Sequence, residues 1–333
     1  MRAAVRSLTT RSSLLVVVAL GPADIVRAQA PDAATTYPSR PIRIIVPFSA
    51  GAGSDFIARQ IAPKLTEKWR QQVVIDNRPS AAGTVAGEIV TRATPDGHTL
   101  LVTSSAIPAS AALYPNLPYD TVKDFAPVTR LAITATMYVT APNTPLRTIK
   151  DLIEHAKKRP AQLTYGHSGI GSGTHFASEL LNVQAGIKTV HVPYKGGTEV
   201  MTDVISGRID YGVVPMAPSV PLVKAARAHG IAVTTAERSS ALPDVPTVQE
   251  SGLPGYIYDG WFAMFAPSKV PAGIVKKLSD EVARILALPD VRSRMDSIGM
   301  EPAPSSPQEM HKMLTTEIEV RKKIFGALAG KLQ

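Results

Sequence analysis

The chain of 333 residues contains no cysteine. This absence excludes disulfide bonds, thiol catalysis and cysteine-based metal sites, and it also excludes the cysteine that anchors a bacterial lipoprotein. Aromatic residues make up only 5% of the chain and the basic residues form no dense run, so a nucleic-acid-binding surface is not favoured. No apolar run reaches the roughly 20 residues that a membrane-spanning helix needs. We therefore expect a soluble protein without a lipid anchor.

The first thirty residues have the layout of a secretory signal peptide. Arg2, Arg6 and Arg11 form a basic segment, Leu14–Leu20 is a short apolar run, and a small-x-small cleavage site ends at Ala30. We expect cleavage near Ala30 and release into the periplasm, with a disordered basic tail as the alternative. Without four arginines and one aspartate of this segment, the net charge falls from +9 to +6, which attracts anions modestly.

Short β-branched runs alternate with small-residue loops and helical patterns in the first third of the chain. The runs Ile42–Val46, Val73–Asn77 and Leu100–Val102 are typical of buried strands. Strand, loop and helix in this order predict an α/β fold with a parallel sheet. Ser54 or Asp55 is the expected cap of the first helix.

Proline and capping residues predict how two helices run. Pro63 falls inside the first helical pattern and is expected to kink or shorten it. Thr148 and Asp151 have the spacing of a capping box, so a helix is expected to begin there.

A second α/β stretch follows in the middle of the chain. Strands are predicted at Leu163–Tyr165, Val190–Tyr194, Ile209–Val214 and Ile231–Thr234, and a buried strand at Trp261–Phe265. The roughly 300 residues after the leader are enough for two domains of ordinary size.

The segment Tyr165–His175 places four glycines, two serines and a threonine between a strand and a helix. The glycines let the backbone approach a ligand closely, and the helix N-terminus supplies N–H donors and about half a positive charge. The hydroxyls of Ser168, Ser172 and Thr174 add donors. The segment indicates an anion site, with a tight turn as the alternative.

Four small-residue loops each precede a helix, at 49–55, 79–84, 168–174 and 194–198. Ligands of open α/β sheets bind beyond the carboxyl ends of the strands. Donors from four loops aimed at one point would favour a carboxylate. Lys195 either neutralises such an anion or is a solvated lysine in a turn.

Catalytic motifs fail on their spacing. A nucleophile elbow needs Gly-x-Ser-x-Gly, but Ile170 stands where the last glycine belongs. A dinucleotide fingerprint needs a glycine where Thr174 stands. No general base, nucleophile and orienting group form a recognisable set. We predict a binding protein without a cofactor, not an enzyme, and keep a serine hydrolase using Ser168 and His175 as a remote alternative.

Three histidines lie close enough in the sequence to suggest a metal site: His167, His175 and His191. The first two are eight positions apart across a glycine-rich loop, and no acidic residue has ligand-like spacing. We predict no metal site and a capping or core role for His175.

Short motifs occur in a fixed order from Tyr37 to the C-terminus. They are Tyr37–Ile42, Val46–Phe48 with Gly51 and Asp55, Ala58–Arg59, Asp76–Pro79, Pro95–Leu100, Tyr119–Asp120, Lys123–Phe125, His191–Gly196, Leu242–Thr247 and the Trp261–Phe262 strand. Through them the chain resembles the TctC-like substrate-binding proteins of tripartite tricarboxylate transporters, also called the Bug (Bordetella uptake gene) family.

The resemblance implies a type-2 periplasmic binding-protein fold, with two α/β lobes, crossing hinge strands and a ligand cleft between the lobes. We place lobe 1 at residues 31–136 plus 257–333 and lobe 2 at residues 137–256. The resemblance implies a monomer that captures a small di-, tri- or aromatic carboxylate for the permease subunits of such a transporter. A sensing module that signals to a membrane receptor is the alternative.

The implied ligand-binding residues are Pro47, Phe48, Ala50, Gly51, Asp55, Ala82, Ser104, Ser168, Gly171, Ser172, Thr174, His175, Tyr194, Lys195 and Gly196. Departures from the family pattern affect three loops. Ala52 replaces a glycine, Ser80 and Ala82 alter the loop after the second strand, and Val213–Met216 stands where the family often has a polar residue. The first two changes indicate a narrower pocket or altered water in it, and the third indicates a more apolar ligand, such as an aromatic carboxylate.

Overall fold

The computed structural model describes residues 33–80, 83–113 and 116–326. The predicted signal peptide lies outside these ranges and stays a prediction. The strands are β1 (Ile42–Val46), β2 (Val73–Asn77), β3 (Thr99–Ser104), β4 (Phe125–Thr134), β5 (Thr136–Thr140), β6 (Thr164–His167), β7 (Val190–Pro193), β8 (Tyr211–Pro215), β9 (His229–Val233), β10 (Gly260–Pro267) and β11 (Met300–Pro302). The helices are α1 (Ala33–Thr36), α2 (Gly53–Trp69), α3 (Thr84–Thr91), α4 (Ala106–Leu113), α5 (Ile149–Lys158), α6 (Gly173–Ala185), α7 (Gly197–Ile205), α8 (Met216–Lys224), α9 (Ala272–Leu286), α10 (Pro289–Asp296) and α11 (Pro307–Gly326). Within these ranges no helix is both long enough and apolar enough to cross a bilayer.

Six strands form the first sheet, in the order β11-β4-β10-β3-β1-β2. β1 pairs in parallel with β2 and β3, as predicted, whereas β10 runs antiparallel to β3 and β4. The parallel strands are joined through α2 and α3, so the loops that follow β1, β2 and β3 lie at one edge of the sheet. The sheet is therefore mixed, because a strand from the far end of the chain inserts between β3 and β4.

Five strands form the second sheet, in the order β7-β6-β8-β5-β9. β6 pairs in parallel with β7 and β8, and β5 runs antiparallel to β8 and β9. The loops that follow β6, β7 and β8 lead into α6, α7 and α8. Each sheet thus repeats one plan, in which parallel strands with helix-opening loops meet an antiparallel strand.

Two crossing segments join the sheets. Ala135 alone separates β4 of the first sheet from β5 of the second. The chain returns at Tyr258, whose N–H donates to the carbonyl of Thr234 at 2.8 Å, just before β10 begins at Gly260. The fold is the expected one, with two lobes and crossing hinge strands; the residue bounds of the lobes stay a prediction.

One of the two predicted helix caps is confirmed. The hydroxyl of Thr148 accepts the N–H of Asp151 at 3.0 Å, and the Asp151 carboxylate accepts the N–H of Thr148 at 2.9 Å. For α2 the prediction is wrong, because Ala52 is the N-cap residue and makes no side-chain cap bond. Ser54 and Asp55 lie inside the first turn instead.

Pro63 does not shorten α2, which continues six residues beyond it to Trp69. Pro63 is exposed, so the carbonyl that loses its N–H partner is on the solvent side of the helix. Ile57, Ile61 and Leu65 form the opposite, fully buried face. Burial of that face holds the helix together through the proline.

Helix α11 packs against both halves of the molecule. Met310, Leu314 and Ile318 belong to a hydrophobic cluster with residues of the first sheet. Ile324 and Phe325 belong to a different cluster, formed around α6 and the second sheet. A single helix is therefore part of both cores.

Candidate ligand-binding site

Most of the predicted site residues lie in loops at the carboxyl ends of parallel strands. After β1, Pro47 is buried, Phe48 is half-buried, and Ala50 and Gly51 are exposed. Ser104, the last residue of β3, is half-buried. These loops offer backbone groups and few charged side chains to a ligand.

Asp55 shapes the loop after β1. Its carboxylate accepts hydrogen bonds from the N–H of Gly51 at 2.8 Å, the amide of Asn77 at 3.0 Å and the guanidinium of Arg59 at 2.8 Å. Burial raises the pKa of the Asp55 carboxyl, but these donors lower it more, so the net pKa lies below its ordinary value. Asp55 is therefore an ionised carboxylate engaged by protein groups, and Asn77, which the sequence did not single out, works with it.

Helices α2 and α7, one from each half, begin without a side-chain cap. Their N-cap residues are Ala52 and Gly196, neither of which has a side-chain acceptor. The N-cap side chains therefore accept none of the first N–H groups of these helices, and the helix dipole adds about half a positive charge at each end. Both ends suit an anion.

The loop after β2 differs from the loops that lead into α2 and α7. Ser80 Oγ accepts the N–H of Val85 at 3.2 Å, so this hydroxyl takes up a donor at the start of α3. Ala82 lies outside the described residues. The N–H of Val85 thus donates to Ser80 and is not available to an external anion.

The hydroxyls of the loop after β6 bond to one another. Thr174 Oγ1 accepts the N–H of Ser168 at 2.9 Å and lies 2.8 Å from Ser172 Oγ, which also accepts the N–H of His175 and caps α6. Ser168 Oγ is buried and has no hydrogen-bond partner among the described residues. The Ser168–His175 contact that a hydrolase requires is not formed, since neither Ser168 Oγ nor His175 Nε2 has a partner among the described residues.

Of the two residues after β7, Tyr194 has a structural role and Lys195 has an exposed side chain. The Tyr194 hydroxyl donates to Asp203 at 2.8 Å, and burial together with this carboxylate raises the pKa of Tyr194 to about 12. The N–H of Lys195 donates to Glu199 at 2.9 Å, while its side chain is exposed. Lys195 can therefore approach an anion, whereas Tyr194 braces α7.

Gly173 and Gly171 bring the second half against the first. A Cβ atom on Gly173 would lie 2.5 Å from the Tyr258 hydroxyl and 3.3 Å from Ser105 Oγ, and these two oxygens are themselves 3.0 Å apart. A Cβ atom on Gly171 would lie 2.8 Å from Leu113 of α4. The loop after β6 is thus seated directly on the end of β3 and on α4.

Arg321 of α11 is fully buried behind this contact. Its guanidinium donates to the Tyr258 hydroxyl at 3.2 Å and to Glu317 at 2.8 Å, and lies 4.2 Å from the ring centroid of Phe176. Nη1 has no partner among the described residues. Sequence patterns did not single out this arginine, because a basic residue on an amphipathic helix is usually solvated.

The segment Val213–Met216, which departs from the family pattern, lies mostly in the core. Val213 and Val214 are fully buried in clusters on opposite faces of the second sheet, and Met216 is buried as well. Pro215 is half-buried, and a Cβ atom on Gly197 would lie 3.0 Å from it. Of this run, Pro215 is therefore the residue nearest the start of α7.

A cavity of about 180 Å³ lies beside the crossing segments, away from these loops. Glu237, Asp259 and Glu301 are among its lining residues. Burial raises the pKa of Asp259 and of Glu301, and neighbouring carboxylates raise that of Glu301 further. The acidic lining makes this cavity unsuitable for a carboxylate ligand.

Three histidines meet behind the loop after β6, although their spacing predicted no site. His167 and His175 are fully buried, and His191 is half-buried. Burial, together with the neighbouring imidazoles, lowers the pKa of His167 to about 4 and that of His175 to about 3. His175 is a core residue, as expected, and its Nδ1 accepts the N–H of Gly171 at 3.2 Å.

Comparison with known proteins identifies this arrangement. The family model described as the tripartite tricarboxylate transporter family receptor matches residues 57–329. The chain belongs to this family. The resemblance inferred from the motifs is thereby confirmed.

Relatives and solved structures cover nearly the whole chain. Protein BugT of Bordetella pertussis is 30% identical over 292 residues, which are 87% of this chain and 90% of that protein. R. palustris Rpa4515, solved with adipate, is 35% identical with a TM-score of 0.78 and covers 86% of this chain and 97% of its own. MatC from Rhodopseudomonas palustris, solved with bound malate, is 30% identical with a TM-score of 0.75 and covers 86% and 99%. The TctC-family chain thus has the two-lobed fold of a periplasmic solute-binding receptor.

Proposed function

We propose that this receptor is exported to the periplasm and binds a small organic carboxylate between its two lobes for delivery to membrane permease subunits. The observation that carries the proposal is the pair of uncapped helix ends, α2 in one half and α7 in the other. A ligand with two carboxylates can accept hydrogen bonds from both at once.

Three further groups support a carboxylate. Ser168 Oγ is a buried hydroxyl without a partner among the described residues, and a hydrogen bond to a charged acceptor contributes about 1.5–3 kcal/mol. Lys195 supplies an exposed cation beside α7. Ile170, which is 52% exposed in the loop after β6, offers apolar surface to the carbon chain of the ligand.

The structures solved with adipate and with malate support the same class of ligand. Both are dicarboxylates, and both belong to proteins at least 30% identical to this chain. Ser80 and Pro215 are the differences to examine for specificity, since Ser80 takes up a donor and Pro215 adds apolar surface. An aromatic carboxylate therefore belongs in the test panel beside aliphatic di- and tricarboxylates.

A thermal-shift panel tests the proposal. The processed protein is heated with di-, tri- and aromatic carboxylates and with the neutral diamide of each dicarboxylate. A ligand that binds only the folded state adds about 2.7 kcal/mol at a concentration of 100 Kd, so a clear rise in Tm is expected for at least one carboxylate and none for its diamide.

Two serine variants locate the site. Ser168→Ala is expected to weaken the best carboxylate several-fold in calorimetric titration, because the hydroxyl donor is lost. Ser268→Ala changes an exposed serine in the turn after β10 and is expected to leave binding unchanged. The proposal is wrong if no carboxylate raises Tm, and the site is misplaced if the two variants behave alike. The membrane proteins that the chain captures from a membrane fraction, with and without ligand, then show whether its partner is a permease subunit or a receptor.

A further inference from the structure

Adjacent parallel strands bring two of the clustered histidines onto one face of the second sheet. β6 and β7 pair in a register that sets Tyr165 opposite His191. His167 is two residues after Tyr165, and side chains two apart on a strand share a face. Helix α6 covers that face and contributes His175 from its first turn. Strand pairing therefore gathers residues that lie far apart in the sequence.

The distances suit a metal ion. One ring nitrogen from each histidine lies within 4.8 Å of those of the other two. His167 Nε2 and His191 Nδ1 are 3.2 Å apart. Two nitrogens bound at about 2.05 Å to one tetrahedral zinc ion are separated by roughly 3.3 Å, so this pair already has the spacing of two ligands.

A backbone carbonyl orients the first of these ligands. His167 Nδ1 lies 2.9 Å from the carbonyl oxygen of Gly169, which can only accept, so Nδ1 carries the proton and Nε2 has the lone pair, which accepts a hydrogen bond from Nδ1 of His191. Metal-binding histidines commonly donate their second N–H in this way, which fixes the tautomer and the ring. His167 therefore has the protonation and orientation of a metal ligand.

The third histidine has an unused polar atom in the core. His175 is fully buried, its Nδ1 accepts the N–H of Gly171, and its Nε2 has no hydrogen-bond partner among the described residues. A buried polar atom without a partner is costly unless something unseen binds it. Arg321 lies near this ring, but its charge is balanced by Glu317.

We propose that His167, His175 and His191 bind one divalent transition-metal ion behind the loop that follows β6. Imidazole ligands suit zinc, copper and nickel, whereas calcium and magnesium prefer oxygen. Three protein nitrogens leave a fourth position for water. This proposal does not rest on carboxylate binding.

Coordination requires a small rearrangement of the rings and no net proton release. The rings of His167 and His175 are nearly parallel, with centroids 4.4 Å apart, so one ring must tilt to aim its lone pair at the ion. When Nδ1 of His191 binds the metal, the proton that it donates to His167 moves to Nε2 of His191. When Nε2 of His175 binds the metal, the ring proton moves to Nδ1 and faces the N–H of Gly171. The loop must then shift at Gly171, which connects the metal to the ligand-binding loop.

Calorimetric titration of the untagged, processed protein with zinc tests the site after dialysis against a chelator. We expect one zinc ion per chain, a similar response to nickel, and none to magnesium. His167→Gln and His191→Gln are each expected to weaken zinc binding at least tenfold. His311→Gln alters an exposed histidine of α11 and is the matched control, with no change expected.

A spectroscopic readout on the unaltered protein covers the case in which a variant does not fold. Copper(II) bound to the wild-type chain is expected to show hyperfine coupling to several imidazole nitrogens by electron paramagnetic resonance. The proposal is overturned if the wild-type chain takes up no stoichiometric zinc, if folded His167→Gln and His191→Gln proteins keep full affinity, or if the copper spectrum shows no nitrogen coupling.

Discussion

The backbone N–H of Gly51 donates to the carboxylate of Asp55 at 2.8 Å, so the first turn of α2 holds the loop that leads into it. The same carboxylate binds Arg59, which neutralises its charge, and Asn77, which in turn donates to the carbonyl of Phe48 at 3.0 Å. A charged group close to a proposed anion site thus acts as a brace for the loop.

Asp55→Asn should therefore loosen this loop. An amide has one acceptor oxygen for three donors and carries no charge, and a hydrogen bond to a charged group contributes about 1.5–3 kcal/mol, so the free energy of unfolding in urea should fall by about that amount. Affinity for the carboxylate should fall as well. Asp280→Asn, which alters an exposed ion pair with Lys276, should change stability by less than about 0.5 kcal/mol. Equal losses in both variants would contradict the bracing role.

Gly173→Ala should disturb the contact between the halves. Its Cβ would lie 2.5 Å from the Tyr258 hydroxyl, and overpacking of this kind costs about 1–3 kcal/mol, measurable as a lower Tm. Adding Tyr258→Phe removes the clashing oxygen and should restore part of the loss. Gly326→Ala, where an added Cβ would meet no other packed group within 4 Å among the described residues, is the control. A Gly173→Ala protein as stable as the wild type would show that the two halves do not meet here.

The free energy of unfolding should fall as the pH is lowered, over a range that depends on the pKa of His167. Its pKa drops from an ordinary 6.5 to about 4 on folding, so the unfolded chain binds more protons between these values. The neutral ring is compatible with the fold above pH 6.5, and about 3 kcal/mol of stability is lost as the pH falls towards 4. Urea unfolding of chelator-treated protein at pH 7.5 and 5 measures this loss. His167→Gln should reduce the pH dependence, and an unchanged slope in that variant would contradict the assignment.

Removing the carboxylate partner of Arg321 should be strongly destabilising. Glu317→Gln leaves a fully buried guanidinium without its counter-charge, and breaking such a pair costs about 3–5 kcal/mol. The double variant Glu317→Gln/Arg321→Met removes both charges and should be more stable than the sum of the two single losses by about 1–3 kcal/mol. Additive losses in urea unfolding would mean that the two groups are not coupled.

Local patterns predicted the strands and the loops well. The bounds of β1 and β2 follow directly from their β-branched runs, Ile42–Val46 and Val73–Asn77. The insertion of β10 between β3 and β4 is a pairing between distant parts of the chain, which no local pattern encodes. For the same reason, the sequence did not predict that parallel and antiparallel strands are mixed in each sheet.

The sequence predicted the loops of the candidate site but not the contacts that its residues make. Glycine and hydroxyl residues marked the segment around Ser168, yet the brace at Asn77 and the buried Arg321 depend on tertiary packing. The histidine cluster escaped prediction for a similar reason. Ligand spacing along a helix or hairpin is local, whereas His191 reaches His167 only through the pairing of β6 with β7.

Helix α11 has a consequence for how such a receptor opens. Its middle packs with the first sheet and its end, at Ile324 and Phe325, packs in the core around α6. When the lobes swing apart, this helix has to bend or its last turn has to leave that core and expose an aromatic ring to water. Any opening of the two lobes would therefore have to overcome the packing of α11 in two cores as well as the bending of the two crossing segments.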